Sequence, residues 1–160
     1  MLNLVFAPMA VVQQSFPVGS TIRVTVTFTY TAGVADAITL KAGPYYYPTV
    51  AGLQVGPLTM VDACLGSADI NLPAASAPTE VTETVDFPLV PKAQGGMDDG
   101  TYGLKVWVDG TNIEAHQDDL MAVSGNPAST DVFSSILPML MMFMMMAMIM
   151  PMMQGFGGQE

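Results

Sequence analysis

Four basic side chains, Arg23, Lys41, Lys92 and Lys105, are all that the 160 residues set against fourteen acidic ones. The resulting formal net charge of -10 repels phosphate backbones and anionic lipid headgroups, so nucleic acid is excluded as a direct partner. A single cysteine, Cys64, excludes an intramolecular disulfide and a thiolate metal cluster within one chain. A single histidine, His116, stands beside Glu114 and Gln117 and reads as a surface residue, because a triad needs a nucleophile and an orienting carboxylate that nothing here marks out. No Gly-rich phosphate loop, paired-carboxylate motif or His-Cys metal spacing occurs. The acidic pairs Asp98-Asp99 and Asp118-Asp119 lack the alternating oxygen ligands of a calcium loop and read as solvated turns. Neither enzymatic activity nor a metal or cofactor is expected.

Charge is scarce altogether, at 11% of residues where roughly 25% is usual. Together with a mean hydropathy of +0.43, this means that part of the chain avoids water. The first twelve residues are apolar but lack the basic stretch that opens a secretory signal, so no cleaved leader is expected.

From Thr21 to Tyr30 the chain alternates strictly, with Ile22, Val24, Val26, Phe28 and Tyr30 on one side and Arg23, Thr25, Thr27 and Thr29 on the other. That is the pattern of a half-buried strand. Further strands are expected at Leu2 to Val12, Ala37 to Ala42, Leu58 to Val61, Ala68 to Leu72, Glu80 to Leu89, Gly100 to Val108 and Ile113 to Val123, separated by Gly- and Pro-rich breaks. No segment before residue 130 has a 3.6-residue apolar period. The expected fold is therefore all-β, an antiparallel sandwich of about seven strands.

The run Val18 to Val26, the run Asp99-Gly100-Thr101-Tyr102-Gly103-Leu104-Lys105-Val106-Trp107-Val108-Asp109 and the stretch Glu114 to Val123 come in the order of an immunoglobulin-like sandwich. Over residues 15 to 125 the chain resembles the immunoglobulin-like adhesion modules of the CARDB type. That resemblance implies a seven-stranded sandwich that binds or spaces other components without catalytic residues. The asparagine-rich finish of that family is absent, and Tyr45-Tyr46-Tyr47-Pro48 through Pro57 looks like an inserted loop.

Residues 1 to 125 form the expected domain, 126–132 a linker of small, polar, breaker-rich residues, 133–154 an apolar helix and 155–160 a short tail. The helix is free of charge and rich in methionine. Its Phe133, Ile136, Leu137, Met139, Leu140, Met141, Met142, Phe143, Met144, Met145, Met146, Met148, Ile149 and Met150 are the side chains expected to meet lipid or other copies of the chain. Capped near Ser135 and stopped near Pro151, it spans about 22 to 28 Å, slightly less than the roughly 30 Å hydrocarbon core of a bilayer. A membrane span, burial among copies in an assembly and a methionine-lined groove for apolar clients all stay open; copper(I) ligation by thioethers is the remaining reading. A span this close to the C-terminus would insert after synthesis, and no flanking Lys or Arg reports its orientation.

For the domain itself, Tyr45, Tyr46, Tyr47 and Trp107 are the candidate contact surface, since tyrosine and tryptophan give large contact area at low entropic cost. The alternatives are tyrosines packed over the open end of the sandwich and a tryptophan that covers a sheet edge or a loop. The expected role is a non-catalytic structural or assembly protein, held in a membrane or a multi-copy particle such as a virion by its tail. Its expected partners are copies of itself or other structural subunits, and lipid. A cellular, membrane-anchored adhesion module binding protein or glycan is the second expectation.

Overall fold

The computed structural model describes residues 2–9 and 13–127. The apolar segment 133–154, with every candidate contact residue in it, and most of the 126–132 linker lie outside the described residues. The chain divides into two units, Met1–Asn126 and Pro127–Glu160, and every described strand belongs to the first.

That unit is all-β and sandwich-like. In chain order its strands are β1 (Leu2–Phe6), β2 (Gln14–Pro17), β3 (Thr21–Ala32), β4 (Asp36–Tyr46), β5 (Thr49–Val50), β6 (Leu53–Gln54), β7 (Thr59–Met60), β8 (Gly66–Leu72), β9 (Ala75–Pro88), β10 (Gly100–Val108) and β11 (Glu114–Ser124). A smaller sheet has the order β1-β3-β9, and a larger one the order β2-β11-β10-β4-β7 with β8 also paired to β4. Strands β5 and β6 pair only with each other.

The alternation read from β3 decides the packing. Ile22, Val26, Phe28 and Tyr30 turn inward with Val85 and Phe87 of β9. They meet Ile38, Leu40 and Ala42 of β4, Leu104, Val106 and Val108 of β10, and Met121 and Val123 of β11 in one continuous core. Phe28, Leu40 and Phe87 are fully buried, and among the described residues no charged or polar one is buried with them. Cys64 belongs to this core too, and burial pushes its thiol up, which leaves it a small packed side chain rather than a nucleophile. Among the described residues no helix is long and apolar enough to cross a membrane.

Several expected boundaries shift, each for a physical reason. Of the strand expected from Leu2 to Val12, β1 covers Leu2–Phe6 and pairs antiparallel with β3; β2 follows at Gln14–Pro17, beyond the expected range, and pairs with β11 of the other sheet. The β2–β11 pairing is parallel, an exception to the all-antiparallel expectation. Phe16 and Pro17 belong to β2, and the turn that follows is Val18-Gly19, with Gly19 at a φ of 84°. β9 begins at Ala75 and runs through Pro78 because it lies at the edge of its sheet, where a missing N–H disrupts no ladder on the open side. Of the insertion expected from Tyr45 through Pro57, Tyr45 and Tyr46 belong to β4, and the remainder contains the β5–β6 hairpin.

Candidate functional site

The outer face of the larger sheet holds the side chains of interest. β4, β10 and β11 lie side by side, with β10 in the middle. Inward residues of β10 are Leu104, Val106 and Val108, so Gly103, Lys105 and Trp107 point outward. Trp107 pairs across to Lys41 of β4 and to Glu114 of β11, while Lys105 pairs to His116 and Gly103 to Tyr45. Two candidates separated by about sixty positions in the chain therefore share one face. Trp107 and Tyr45 stand about 13 Å apart along it, four residues at roughly 3.3 Å each.

Tyr45 sits on this face yet is only 1% exposed. Glycine at 103 makes that possible, because a Cβ there would collide with the Tyr45 ring. The ring lies across β10 and its hydroxyl donates to the carboxylate of Asp118. Tyr47 closes over it edge to face at 5.7 Å, and His116 does the same at 5.9 Å. Burial, reinforced by the Asp118 carboxylate, pushes the Tyr45 hydroxyl far above the ordinary phenol range. Whatever meets this face touches half-buried Tyr47 and exposed His116 around Tyr45 rather than Tyr45 itself.

The position of Asp118 comes from an irregularity in β11. Between the pairs Tyr102↔Met121 and Leu104↔Gln117, β11 carries two residues more than β10, and Asp119 takes a left-handed φ of 53°. Such a bulge re-aims the side chains beside it. Asp118-Asp119 is thus a bulge inside a strand rather than a turn between strands, and Asp118 has a partner that sequence spacing could not reveal. Two aspartates within an otherwise strand-like run are the one available sign, since Asp is depleted in regular strands. Asp98 and Asp99 lie in the irregular segment that leads into β10: Asp98 pairs with Lys92, and Asp99 accepts hydrogen bonds from the backbone and side chain of Asn126, which hold its carboxyl below the usual carboxylate range.

Around Trp107 the face is ionic. Lys41 pairs with Asp109 at 3.0 Å and Lys105 with Glu114 at 2.6 Å. The Lys105 ammonium also stands 5.9 Å from the centre of the Trp107 ring. Trp107 sits half-buried on an interior strand rather than at a sheet edge. Tyr46 points the other way: at 42% exposure it meets Tyr102 edge to face at the open end of the sandwich, above a hollow that Asp62, Gly96 and Asp98 help to line.

A larger cleft of about 670 Å³ opens between the sheets where the chain passes from β1 to β2, lined by Phe6, Met9, Phe16, Val24, Leu104 and Met121 among others. Residues 10–12 lie outside the described residues. No group of three or more His, Cys, Asp or Glu side chains able to hold a metal ion occurs among the described residues.

No protein-family model matches the chain, and no curated protein matches it. Among solved structures, it is similar to DesR, a β-glucosidase from Streptomyces venezuelae in complex with D-glucose, with 16% identity and a TM-score of 0.40, over 74% of this chain and 15% of that one. It is also similar to Spo0M, the sporulation control protein of Bacillus subtilis, with 12% identity and a TM-score of 0.36, over 86% of this chain and 54% of that one. The chain thus spans from about a seventh to about half of those proteins, and at such scores neither likeness bears on function.

Proposed function

We propose that the protein is a non-catalytic assembly module: an immunoglobulin-like sandwich that meets a neighbouring subunit through the outer face of its larger sheet. The observation that carries this reading is that one outer face holds Tyr47 and His116, packed around the buried Tyr45, together with Trp107 further along the same strands. Aromatic side chains outside the core add nothing to the inter-sheet packing, and they are the residues enriched where proteins meet. The immunoglobulin-like assignment is supported by a strand order in which the chain crosses repeatedly between sheets, β3 to β4 and β8 to β9 to β10, as Greek-key sandwiches do.

The neighbour is another copy of the chain or a companion structural subunit, in a membrane or a multi-copy particle such as a virion. The methionine-rich segment 133–154 serves as the anchor, in lipid or among copies of itself. Mass photometry of the full-length chain tests this: ordered oligomers are expected for the unmodified protein, and Trp107→Ala together with Tyr47→Ala should shift the population toward smaller species. A monomer in every condition, including detergent, would sink the proposal.

A further inference from the structure

Between Lys41 and Asp62 no side chain is charged, in a chain whose net charge is -10. Within that stretch the β5–β6 hairpin stands apart, paired to neither sheet. Val50, Leu53 and Val55 are 63%, 72% and 56% exposed, three of the six large apolar side chains on the described surface. Isolated exposed apolar residues are ordinary, whereas a cluster on one projecting element marks a contact site.

The turn adds a second observation. Val50 pairs with Leu53, so the loop is the two residues Ala51 and Gly52, both at positive φ, 53° and 80°. A two-residue loop of this kind favours Asn, Asp or Gly first. Alanine takes that position here against its steric preference. A strained residue that persists points to a role, and the effect of this one is a tip with no polar side chain from Val50 to Leu53. At the base of the hairpin stand Tyr46, exposed, and Tyr47, half-buried, where an amphipathic ring would meet the headgroup level of a bilayer.

We infer that the β5–β6 hairpin inserts into the headgroup–acyl boundary of an electroneutral lipid surface, with Val50, Leu53 and Val55 as the inserted side chains. A protein occupant fits poorly, because a stable interface engages about 20 to 30 residues and about 800 Å² on each side, far more than seven residues of hairpin supply. A shallow lipid contact needs only a few apolar side chains and tolerates a charge-free tip. The inference stands on the hairpin alone and does not depend on what the 133–154 segment does.

The test uses the full-length chain with Leu53→Cys labelled by an environment-sensitive nitrobenzoxadiazole fluorophore, Cys64 being fully buried and out of reach of the reagent. Phosphatidylcholine vesicles should shift the emission to the blue and protect the probe from an aqueous quencher. The same probe on Val34→Cys, exposed in the β3–β4 connection, should not respond. Adding Val50→Asp should raise the vesicle concentration needed for the shift at 53 at least tenfold. A chain that sediments with vesicles without any shift at position 53 overturns the hairpin proposal while leaving an anchoring tail intact. A shift without vesicles that grows with protein concentration places a second copy on the hairpin and also overturns it, as do equal shifts at 34 and 53.

Discussion

The two sheets of this domain share a core but not an outer face. On the smaller sheet, Thr25, Thr27 and Thr29 of β3 stand beside Thr84, Thr82 and Glu80 of β9, and Arg23 forms a two-pronged ion pair with Asp86. Nothing aromatic faces outward there along the β3–β9 pair. On the larger sheet the corresponding positions hold Tyr45, His116, Trp107 and lysines engaged with carboxylates. Threonines are what a solvated strand asks for: β-branched, polar and indifferent to partners. The aromatic face is more elaborate than the fold requires, and that excess is why it, and not the threonine face, is the proposed contact.

The contrast can be broken first at its most buried point. Tyr45→Ala removes a ring that is sealed against Gly103, and should cost about 3 kcal/mol in urea unfolding, the scale of an aromatic-to-alanine change in a core. A loss comparable to that of a surface substitution would show that the ring merely covers the sheet. Gly103→Ala approaches the same contact from the other strand; the added methyl should displace the ring and cost about 2 kcal/mol, as overpacking does, while His116 changes its exposure in chemical modification.

Titration separates the two faces by sign. The Tyr45 hydroxyl has a folded-state pKa raised above its ordinary value of 10.0, so its contribution is full below about pH 10 and is lost as the pH rises beyond it. Tyr45→Phe should cost about 1 kcal/mol at neutral pH, the worth of one hydrogen bond, and should flatten the alkaline loss of stability seen in the unmodified protein. Asp86 behaves oppositely. Its hydrogen bonds from Arg23 hold its carboxyl below its ordinary value of 3.8, so its contribution is present above that pH and is lost as the pH falls through the lower folded value. Arg23→Gln should therefore reduce the acid sensitivity that the smaller sheet contributes, followed by circular dichroism between neutral pH and pH 2. The smallest effect belongs to Thr27→Ala, which breaks a 3.0 Å hydroxyl pair with Thr82 and should cost about 0.5 kcal/mol or less.

Much of the fold was legible in the sequence, and the reasons are local. β3 and β10 announce themselves by period-two alternation between Gly- and Pro-bearing turns, and their inward residues are the ones that alternation names. Legibility fails where a feature depends on distant partners. Nothing in the apolar run that begins at Leu2 says that the next strand, Gln14–Pro17, pairs with the other sheet, because that pairing is made with β11, about a hundred positions further along the chain. Proline at 78 reads as a break until β9 is known to be an edge. Tyr45 and Trp107 were each visible as candidates, but their common face follows from the β4–β10 register, and the bond from Tyr45 to Asp118 joins residues 73 apart through a bulge whose position no propensity encodes. Tyr45 looked like surface in a run of three tyrosines; a glycine 58 positions further on lets it be buried.

Hydroxyl-radical footprinting of the full-length chain, assembled and then diluted until it dissociates, weighs the two faces against each other within one sample. Trp107, Tyr47 and His116 should be protected several-fold in the assembled state, while Val5 on β1 of the smaller sheet and Val34 in the β3–β4 connection are oxidised equally in both. Equal oxidation of Trp107, Tyr47 and His116 before and after dilution, with protection confined to the smaller sheet or to the 133–154 segment, would contradict the assignment of the aromatic face.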